Sequence, residues 1–327
     1  MMKVLGMGNA LVDMMIRIDD ERIFREFGLL KGGMRLVDSA LIKDVLERLK
    51  SFPVEIATGG SAANTVHGLA KLGVKTSFIG KVASDDFGKF MMEDMLKNGV
   101  NPNLLNGKAP TGIALTLITP DSERTFAVNL GCAIELLPED INAEMFEGYN
   151  IFHIEGFLVQ NKELLEKAVR LAKKAGAKVS FDLASFDVVE ENFIFLKNIV
   201  EKYVDILFAN EDEATAFTGL TPEKALNVIS QTVPVTIIKI GEKGSLISDR
   251  KDVVRVDSIK VQAVDTTGAG DLYAAGFLYG MINGLSMHTS GEIGSLLSGK
   301  VIEVIGAKMD DERWSNIYTE LRKLMME

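Results

Sequence analysis

The sequence predicts an α/β protein with a mainly parallel central sheet, helices on both faces of that sheet, and a small separate β-sheet. Three observations lead to this fold class. Short runs rich in β-branched residues alternate with helical patterns along most of the chain. Gly73, Gly99, Gly176 and Gly219 stand where helices of that pattern should end. Two strand-rich stretches lack an intervening helix. Alternating strands and helices give a parallel sheet that is covered on both sides.

The elements of the main sheet follow in order along the chain. We predict strands at residues 3–7, 54–57, 76–79, 151–154, 178–181, 206–208, 235–240 and 245–248. We predict helices at residues 62–72, 87–98, 162–175, 193–202, 211–218, 222–230, 271–283 and 311–326. No Pro- or Ser-rich linker divides the chain, so we expect residues 1–327 to form a single domain.

The smaller sheet is predicted from residues 12–18, 34–38 and 112–129. The last stretch reads as a hairpin, with apolar residues at 113–118, a turn at 120–123 and a second arm at 125–128. Strands without helices between them favour a small sheet that stands apart from the main one. The alternative is that they are edge strands of the main sheet.

Composition and charge limit the classes of function. The net charge of −10 argues against binding that is driven by the charge of nucleic acids or anionic membranes. No apolar run reaches the roughly 18 residues that a membrane helix needs. Asp13 interrupts the apolar N-terminal stretch, which is not a convincing signal peptide. The single cysteine, Cys132, excludes an internal disulfide framework. We therefore expect a cytoplasmic protein.

The most informative segment is residues 265–280, a glycine-rich loop that is followed by a helical pattern. Small residues at Gly268, Ala269 and Gly270 let backbone N–H groups converge on an anion, and the helix that follows adds its positive dipole end. Asp271 lies on the first turn of that helix, beside any bound anion. An anion cradle next to a carboxylate suits phosphoryl transfer. The alternative is an ordinary loop in which Asp271 only caps the helix.

A second segment, residues 57–73, combines glycines with an unusual polar residue. Gly59 and Gly60 allow a close approach of the backbone, and Ser61 is a plausible cap for the helix that follows. Asn64 is a poor helix former with both a donor and an acceptor. The alternative is a capped helix whose Asn64 faces solvent.

These two segments, in this order and spacing, resemble the two signatures of the ribokinase family, the PfkB-type carbohydrate and nucleoside kinases. The resemblance implies a ribokinase-like three-layer α/β/α fold in which the small sheet is a lid over the substrate. It implies that Asp271 is the catalytic base and that residues 268–270 form the anion hole. It also implies that the motif of Gly59, Gly60, Ser61 and Asn64 holds the hydroxyl groups of the acceptor.

The N-terminal run at residues 6–13 resembles the family as well. A dinucleotide-binding fingerprint fails here, because Leu11 takes the place of its third glycine and a strand-like run follows. In the family, the residue that matches Asp13 bonds sugar hydroxyls, and Asn9 lies beside it. The alternative for Asp13 is a surface acid at the end of a strand.

Two further motifs concern the nucleotide. Asn210 and Glu213 match a family motif that helps to hold the magnesium–phosphate arrangement, with Glu213 acting on Mg²⁺ through water. Lys239, Gly241 and Gly244 resemble the loop on the nucleotide side, where the backbone approaches the phosphates of ATP. The alternatives are an acidic helix cap at 210–213 and a plain hairpin turn at 241–244.

Three predicted ligands lie near the lid and the glycine-rich loop. In related kinases a lid arginine can approach the transferred phosphate, and Arg124 has that position; the alternative is a solvated side chain. Asp265 and Thr267, with Gly306, lie where the family often binds a monovalent cation such as K⁺.

The resemblance predicts an ATP-dependent kinase that phosphorylates a hydroxymethyl group of a small-molecule substrate, a sugar or a nucleoside. It leaves open a monomer or a homodimer, because the lid sheets pair in some members of the family and not in others. The stretches at 8–13, 181–185 and 205–214 are most similar to the adenosine-kinase branch. A nucleoside needs an apolar or aromatic slot for its base, for which Phe126, Phe157 and Phe186 are candidates. The alternative is a non-catalytic sugar- or nucleotide-binding module on the same scaffold. The chain has no phosphate-binding motif of the P-loop type.

Overall fold

The structure is a computed structural model that describes residues 2–121 and 123–325. The strands are β1 (Lys3–Met7), β2 (Leu11–Arg17), β3 (Met34–Leu36), β4 (Val54–Gly59), β5 (Lys75–Val82), β6 (Val100–Asn106), β7 (Gly112–Ile118), β8 (Arg124–Asn129), β9 (Ile151–Glu155), β10 (Lys178–Asp182), β11 (Ile206–Asn210), β12 (Val235–Lys239), β13 (Ser245–Ser248) and β14 (Val253–Val256). The helices are α1 (Arg22–Glu26), α2 (Ser39–Arg48), α3 (Ser61–Lys71), α4 (Asp86–Lys97), α5 (Lys162–Lys174), α6 (Phe186–Tyr203), α7 (Glu211–Thr218), α8 (Pro222–Ile229), α9 (Ala269–Ile282), α10 (Met287–Val301) and α11 (Asp311–Leu324).

Within the described residues, nine strands form the central sheet in the order β14-β13-β12-β11-β10-β9-β1-β5-β6. Every neighbouring pair from β12 to β6 is parallel, while β13 and β14 pair antiparallel at one edge. The prediction of a mainly parallel sheet is confirmed. Because β9 to β12 run in one direction, their carboxyl ends meet at a single edge of the sheet, where binding sites of such sheets form.

The second sheet has the order β3-β8-β7-β2-β4 and shares no strand with the first. The predicted hairpin is confirmed by the antiparallel pairing of β7 with β8. The alternative of edge strands in the main sheet is wrong. So is the placement of residues 54–57 in the main sheet, because β4 pairs antiparallel with β2. Ser122 in the predicted turn and Met326 at the predicted end of the last helix lie outside the described residues.

The core has two faces because successive residues of a strand point to opposite sides of the sheet. Val4 packs with the cluster under α9, α10 and α11, which includes Phe277 and Trp314. Leu5, the next residue, packs with the cluster under α5 to α8, which includes Phe181. The predicted three-layer arrangement is therefore present. Helices α1 and α2 cover the second sheet.

Several elements were not predicted, and α10 is the clearest of them. Its sequence contains several glycines and serines, which are weak helix formers. Tertiary packing outweighs that weakness, because α9 and α10 approach closely: a Cβ on Gly276 of α9 would lie 2.6 Å from the carbonyl oxygen of Ile293. The segment after α10 returns the chain to the glycine-rich loop. The elements α1, α2, β6 and β14 were also missed.

Candidate active site

Polar side chains lie at the carboxyl ends of four neighbouring strands of the central sheet. Glu155 ends β9, Asp182 ends β10, Asn210 ends β11 and Lys239 ends β12. The strand register pairs Glu155 with Asp182 and Asn210 with Lys239. This edge of the sheet is therefore lined with charge and hydrogen-bonding groups, while the strands behind it are apolar.

The glycine-rich loop leads into the N-terminus of α9 beside this edge. Gly268 has a φ of +75° and a Cβ there would lie 2.5 Å from the Cβ of Ala307, so the turn requires glycine. Within the described residues, no side chain caps this helix. Ala269 N donates to Thr266 O at 3.2 Å, whereas the next N–H groups of this turn, at Gly270 and Asp271, are placed to meet an anion such as phosphate.

Asp271 of α9 faces the N-terminal turn of α3. Its two carboxylate oxygens accept hydrogen bonds from Ser61 Oγ at 2.7 Å and from Asn64 Nδ2 at 2.9 Å. Asp271 and Asn64 therefore share one site, and the alternative of a solvent-facing Asn64 is wrong, because Asn64 is buried. Ser61 contacts Asp271 and is not the N-cap of α3, which is Gly60.

Burial raises the pKa of Asp271 above its ordinary value, and the hydrogen bonds from Ser61 and Asn64 act in the opposite direction. Among the charged neighbours, Asp182 raises this pKa and Lys239 lowers it. Because the net pKa is raised, this partly buried carboxylate accepts a proton more readily than an exposed one, while its two donors fix its position. That is the property expected of a general base.

Asn9 and Asp13 lie where the chain passes from β1 in the central sheet to β2 in the second sheet. Asn9 is held by Glu155, whose Oε1 accepts from Asn9 N at 2.9 Å and from Asn9 Nδ2 at 3.1 Å. Asp13 lies against Gly59, where any Cβ would collide with its carboxylate. The Asp13 carboxylate is thus packed against the backbone of β4 with Asp271 among its charged neighbours, so the alternative of a surface acid is wrong. Burial raises the pKa of Asp13 to about 7.

Sequence reasoning missed Glu155. Its Oε2 accepts from Ala62 N at 2.8 Å, so this one carboxylate ties the first turn of α3 to Asn9. Burial raises its pKa to about 7. The sequence feature that could have identified Glu155 is its position immediately after the predicted strand at 151–154.

Asn210 and Glu213 form a reciprocal cap at the start of α7. Asn210 Oδ1 accepts from Glu213 N at 2.8 Å, and Glu213 Oε2 accepts from Asn210 N at 2.8 Å. The capping interpretation is therefore confirmed for these two residues. No cluster of three or more His, Cys, Asp or Glu side chains suited to a metal ion occurs among residues 2–121 and 123–325. A role of Glu213 on Mg²⁺ through water stays a prediction.

Lys239 supplies a positive charge at the carboxyl edge of the central sheet. Its Nζ lies 3.1 Å from Asp182 Oδ2 and would lie 3.0 Å from a Cβ on Gly270, so it borders the glycine-rich loop. Burial lowers its pKa, but Asp182 and Glu213 outweigh burial and the net pKa is raised. Lys239 is thus held as a charged group beside the proposed anion cradle. Sequence reasoning missed Asp182 as its partner.

Gly241 and Gly244 lie in the turn between β12 and β13, and both have positive φ. The interpretation as a hairpin turn is confirmed, because β12 pairs antiparallel with β13. Their approach to the phosphates of ATP stays a prediction.

Arg124, at the start of β8, reaches from the second sheet to the glycine-rich loop. Its guanidinium pairs with Asp265 and donates to Thr267 Oγ1 at 2.6 Å. The alternative of a solvated Arg124 is wrong, since its side chain is only 17% exposed. The structure places it on this loop, where it joins the two sheets.

The predicted monovalent-cation residues are thus already engaged. Besides Arg124, the Asp265 carboxylate accepts from Thr267 N at 2.6 Å and from Gly306 N at 2.7 Å. The guanidinium takes the position beside the buried carboxylate in which the sequence predicted a cation. Binding of a monovalent cation at these residues stays a prediction.

A cavity of about 830 Å³ opens between the second sheet and the carboxyl edge of the central sheet. Its walls include Asn9, Gly60, Ser61 and Glu155 at the inner end. Apolar side chains line much of the rest: Leu11, Met34, Leu36, Val128, Leu130, Phe157, Val159 and Val188. Of the three aromatic candidates, Phe157 lines the cavity, whereas Phe126 and Phe186 are not among its described lining residues.

The sequence profile described as pfkB family carbohydrate kinase matches residues 38–313, which is most of the chain. The chain belongs to the pfkB family of carbohydrate kinases. It is a kinase with the ribokinase-like α/β fold of that family. Kinases of the family phosphorylate sugars or nucleosides with ATP, generally with Mg²⁺.

Individual relatives include both sugar and nucleoside kinases. A 5-dehydro-2-deoxygluconokinase of Bacillus licheniformis is 27% identical, over 85% of this chain and 90% of that protein. An adenosine kinase of Sinorhizobium meliloti has a TM-score of 0.87 and 33% identity, over 98% of this chain and 99% of its own. A probable sugar kinase of Rhizobium etli has a TM-score of 0.88 and 31% identity, over 98% of both chains.

None of the described helices is both long enough and apolar enough to cross a membrane.

Proposed function

We propose that Asp271 is the general base of an ATP-dependent phosphoryl transfer to a hydroxymethyl group in the cavity. Asp271 takes the proton of the acceptor hydroxyl, the oxygen attacks the γ-phosphorus of ATP, and ADP leaves. The observation that carries this proposal is the placement of Asp271. It is bonded by Ser61 and Asn64 and lies on the first turn of a helix that has no side-chain cap within the described residues.

The positive groups around that turn support the transfer. The backbone amides at 268–270 form the anion hole for the moving phosphoryl group, and Lys239 lies beside them. Arg124 holds the loop from the side of the second sheet. Asn210 and Glu213 would hold Mg²⁺ through water, and bound Mg²⁺ would neutralise charge on the phosphates. Gly241 and Gly244 border the nucleotide.

The size and lining of the cavity favour a nucleoside acceptor. Its volume of about 830 Å³ exceeds the need of a single sugar ring and lies within the range of roughly 300–1,000 Å³ that is typical of sites for larger ligands. Asn9 and Asp13 hold hydroxyl groups at the inner end, together with the motif that contains Gly59 and Gly60. The base lies against Phe157 and the apolar wall. The similar adenosine kinase of Sinorhizobium meliloti supports this choice.

A plain sugar is the second candidate, because similar proteins bear the names of sugar kinases. The second sheet acts as the lid of a single domain in either case. Stimulation by K⁺, a cytoplasmic location, and the choice between monomer and homodimer stay predictions.

The variant Asp271→Asn tests the proposal. Asparagine keeps the size of the side chain but cannot take the proton, so kcat should fall by about 10²–10⁴ while substrate binding stays near normal. Turnover is measured by coupled ADP release, and binding by calorimetry. The control is Asp212→Asn, an exposed acid on α7, which should leave kcat unchanged. A turnover of Asp271→Asn within threefold of the wild type would remove Asp271 from this role.

A further inference from the structure

Lys308 carries a positive charge into the active site from a segment that sequence reasoning did not single out. It lies between α10 and α11, and its Nζ is 3.2 Å from Asn64 Oδ1. The segment is anchored on both sides. Gly306 N donates to Asp265 in the glycine-rich loop, and Met309 is buried in the core under α9. The position of Lys308 is therefore coupled to the loop that forms the anion hole.

The contacts of Lys308 determine how the Asn64 amide is oriented. An ammonium group can only donate, so the amide oxygen of Asn64 must face it. The amide nitrogen then points the other way and donates to Asp271 Oδ2 at 2.9 Å. In the opposite orientation, the amide oxygen would face the Asp271 carboxylate, and two acceptors would meet. The three side chains form one directed chain of hydrogen bonds from Lys308 through Asn64 to Asp271.

The site around Lys308 is strongly charged. Its charged or titratable neighbours come from four elements: Asp13 on β2, Asp94 on α4, Asp271 on α9, and His67 and Lys71 on α3. Burial lowers the pKa of Lys308 to about 8, while Asp94, Asp13 and Asp271 raise it. By reciprocity, the ammonium lowers the pKa of Asp13 and of Asp271. A partly buried cation costs free energy unless nearby charges offset that cost, and here Asp13, Asp94 and Asp271 favour the charged form of Lys308.

We propose that Lys308 is a positioning residue of the phosphoryl transfer, whose ammonium fixes the Asn64 amide so that its NH₂ group donates to Asp271. The inference rests on the role proposed for Asp271. If Asp271 is the base, it then also requires a cation next to Asn64 that keeps the Asp271 carboxyl group ionised. Neither glycine signature contains this residue, and only the folded chain brings residue 308 to residue 64.

The variant Lys308→Met tests this inference, because methionine fills similar space without donating a hydrogen bond. We expect kcat to fall by about 10-fold to 10²-fold, with less than a threefold change in the acceptor KM. The acid limb of the pH profile of kcat/KM should move to higher pH. The active form of Asp271 is ionised, and loss of a nearby cation raises the pKa of a carboxyl group, so activity is lost sooner as the pH falls.

Two companion variants separate positioning from folding. Lys308→Arg keeps the charge and the donors, so it should restore the acid limb to within 0.3 pH units, roughly a twofold change in proton affinity. Lys71→Met removes another lysine of the same neighbourhood, one at the far end of α3 from Asn64, whose Nζ lies 3.9 Å from Asp311 Oδ1, and should leave both kcat and the limb unchanged. Thermal melting of all three variants reports any loss of fold.

A double variant tests the hydrogen-bonded chain itself. If Lys308 acts through Asn64, then Lys308→Met should cost little more in kcat when Asn64 is already alanine. Full additivity of the two losses overturns the inference, and so does an unchanged kcat with an unchanged acid limb in Lys308→Met. A rise of about tenfold or more in the acceptor KM at constant kcat also overturns it, since Lys308 would then be a ligand of the acceptor.

The proposed general base and this inference can fail separately. If Asp271→Asn stays active, the role of Asp271 is lost, whatever Lys308 does. If Asp271→Asn is inactive while Lys308→Met keeps the kcat and the pH profile of the wild type, then only the inference about Lys308 is wrong.

Discussion

The two halves of the active site are built in different ways. The transfer centre, defined as residues 265–271 with Ser61 and Asn64, comes from two short segments that each contain their own glycines and polar groups. The acceptor cavity takes its walls from β3, β8, the segment after β9 and the start of α6, which are far apart in sequence. The transfer centre is thus defined by local motifs, and the cavity only by the folded chain.

This difference separates the chemistry from the choice of substrate. Transfer of a phosphoryl group needs an anion cradle and a base at a fixed spacing, and a loop that enters a helix supplies both within a few residues. Selection of an acceptor needs shape and apolar contact, which many backbones can provide. Variants in the transfer centre should therefore change kcat with every acceptor, whereas variants in the cavity wall should change kcat/KM for one class of acceptor.

Arg124 joins the transfer centre to the second sheet, so loss of its side chain should lower activity more than loss of a side chain from the cavity wall. Without the guanidinium, the buried Asp265 loses its charged partner and the glycine-rich loop loses its tie to the second sheet. We expect Arg124→Gln to lower kcat by about 10-fold to 10²-fold with every acceptor, a loss comparable with removal of one transition-state donor. The measurement is steady-state turnover with each acceptor in sodium and in potassium buffer.

Arg124→Gln also tests the predicted monovalent-cation site at Asp265 and Thr267. If the guanidinium takes the position of a monovalent cation, K⁺ should stimulate Arg124→Gln and leave the wild type unchanged. The control is Arg17→Gln, an exposed arginine at the end of β2, which should keep full activity in both buffers. Strong stimulation of the wild type by K⁺ would show that a cation binds despite the Arg124–Asp265 pair.

Phe157 tests the cavity alone, and its effect should be smaller and selective. Removing the ring takes away one aromatic contact, worth about 1.4 kcal/mol or a factor of 10 in affinity. We expect Phe157→Ala to lower kcat/KM about 10-fold for a nucleoside and less than twofold for the matching free sugar. Kinetic measurements with both acceptors give the ratio directly.

The matched control for Phe157 is Phe186→Ala. Phe186 is 48% exposed at the start of α6 and is not among the described residues that line the cavity. Its loss should not change the preference between the two acceptors. Equal losses of kcat/KM for nucleoside and sugar in Phe157→Ala would contradict the view that the cavity selects the acceptor independently of the transfer centre.

Much of the transfer centre could be predicted from sequence, for a physical reason. Gly268 is required by a left-handed turn, Asp271 follows three positions later, and Asn64 is unfavourable in a helix unless it has another use. Such residues violate the local preferences of their elements, and those violations are visible in the sequence. The alternating strands and helices likewise predicted the central sheet and its direction.

The remaining residues act through long-range contacts that no local pattern records. Glu155, Asp182 and Lys308 are ordinary charged residues in sequence, and they matter because the fold brings them to Asn9, Lys239 and Asn64. Residues 54–57 look like any apolar strand, so only pairing with β2 shows that they belong to the second sheet. The position of Arg124 on Asp265 also depends on how the two sheets meet.

The central claim is that this chain transfers phosphate from ATP to an acceptor bound in the cavity, and acceptor-dependent ADP release tests it most directly. The purified chain is assayed with Mg·ATP plus adenosine, other nucleosides, ribose, fructose or no acceptor. We expect ADP formation above the acceptor-free background, with the highest kcat/KM for a nucleoside. Background rates with every nucleoside and sugar would contradict the central claim, and ADP formation with sugars alone would contradict the assignment of the cavity to a nucleoside.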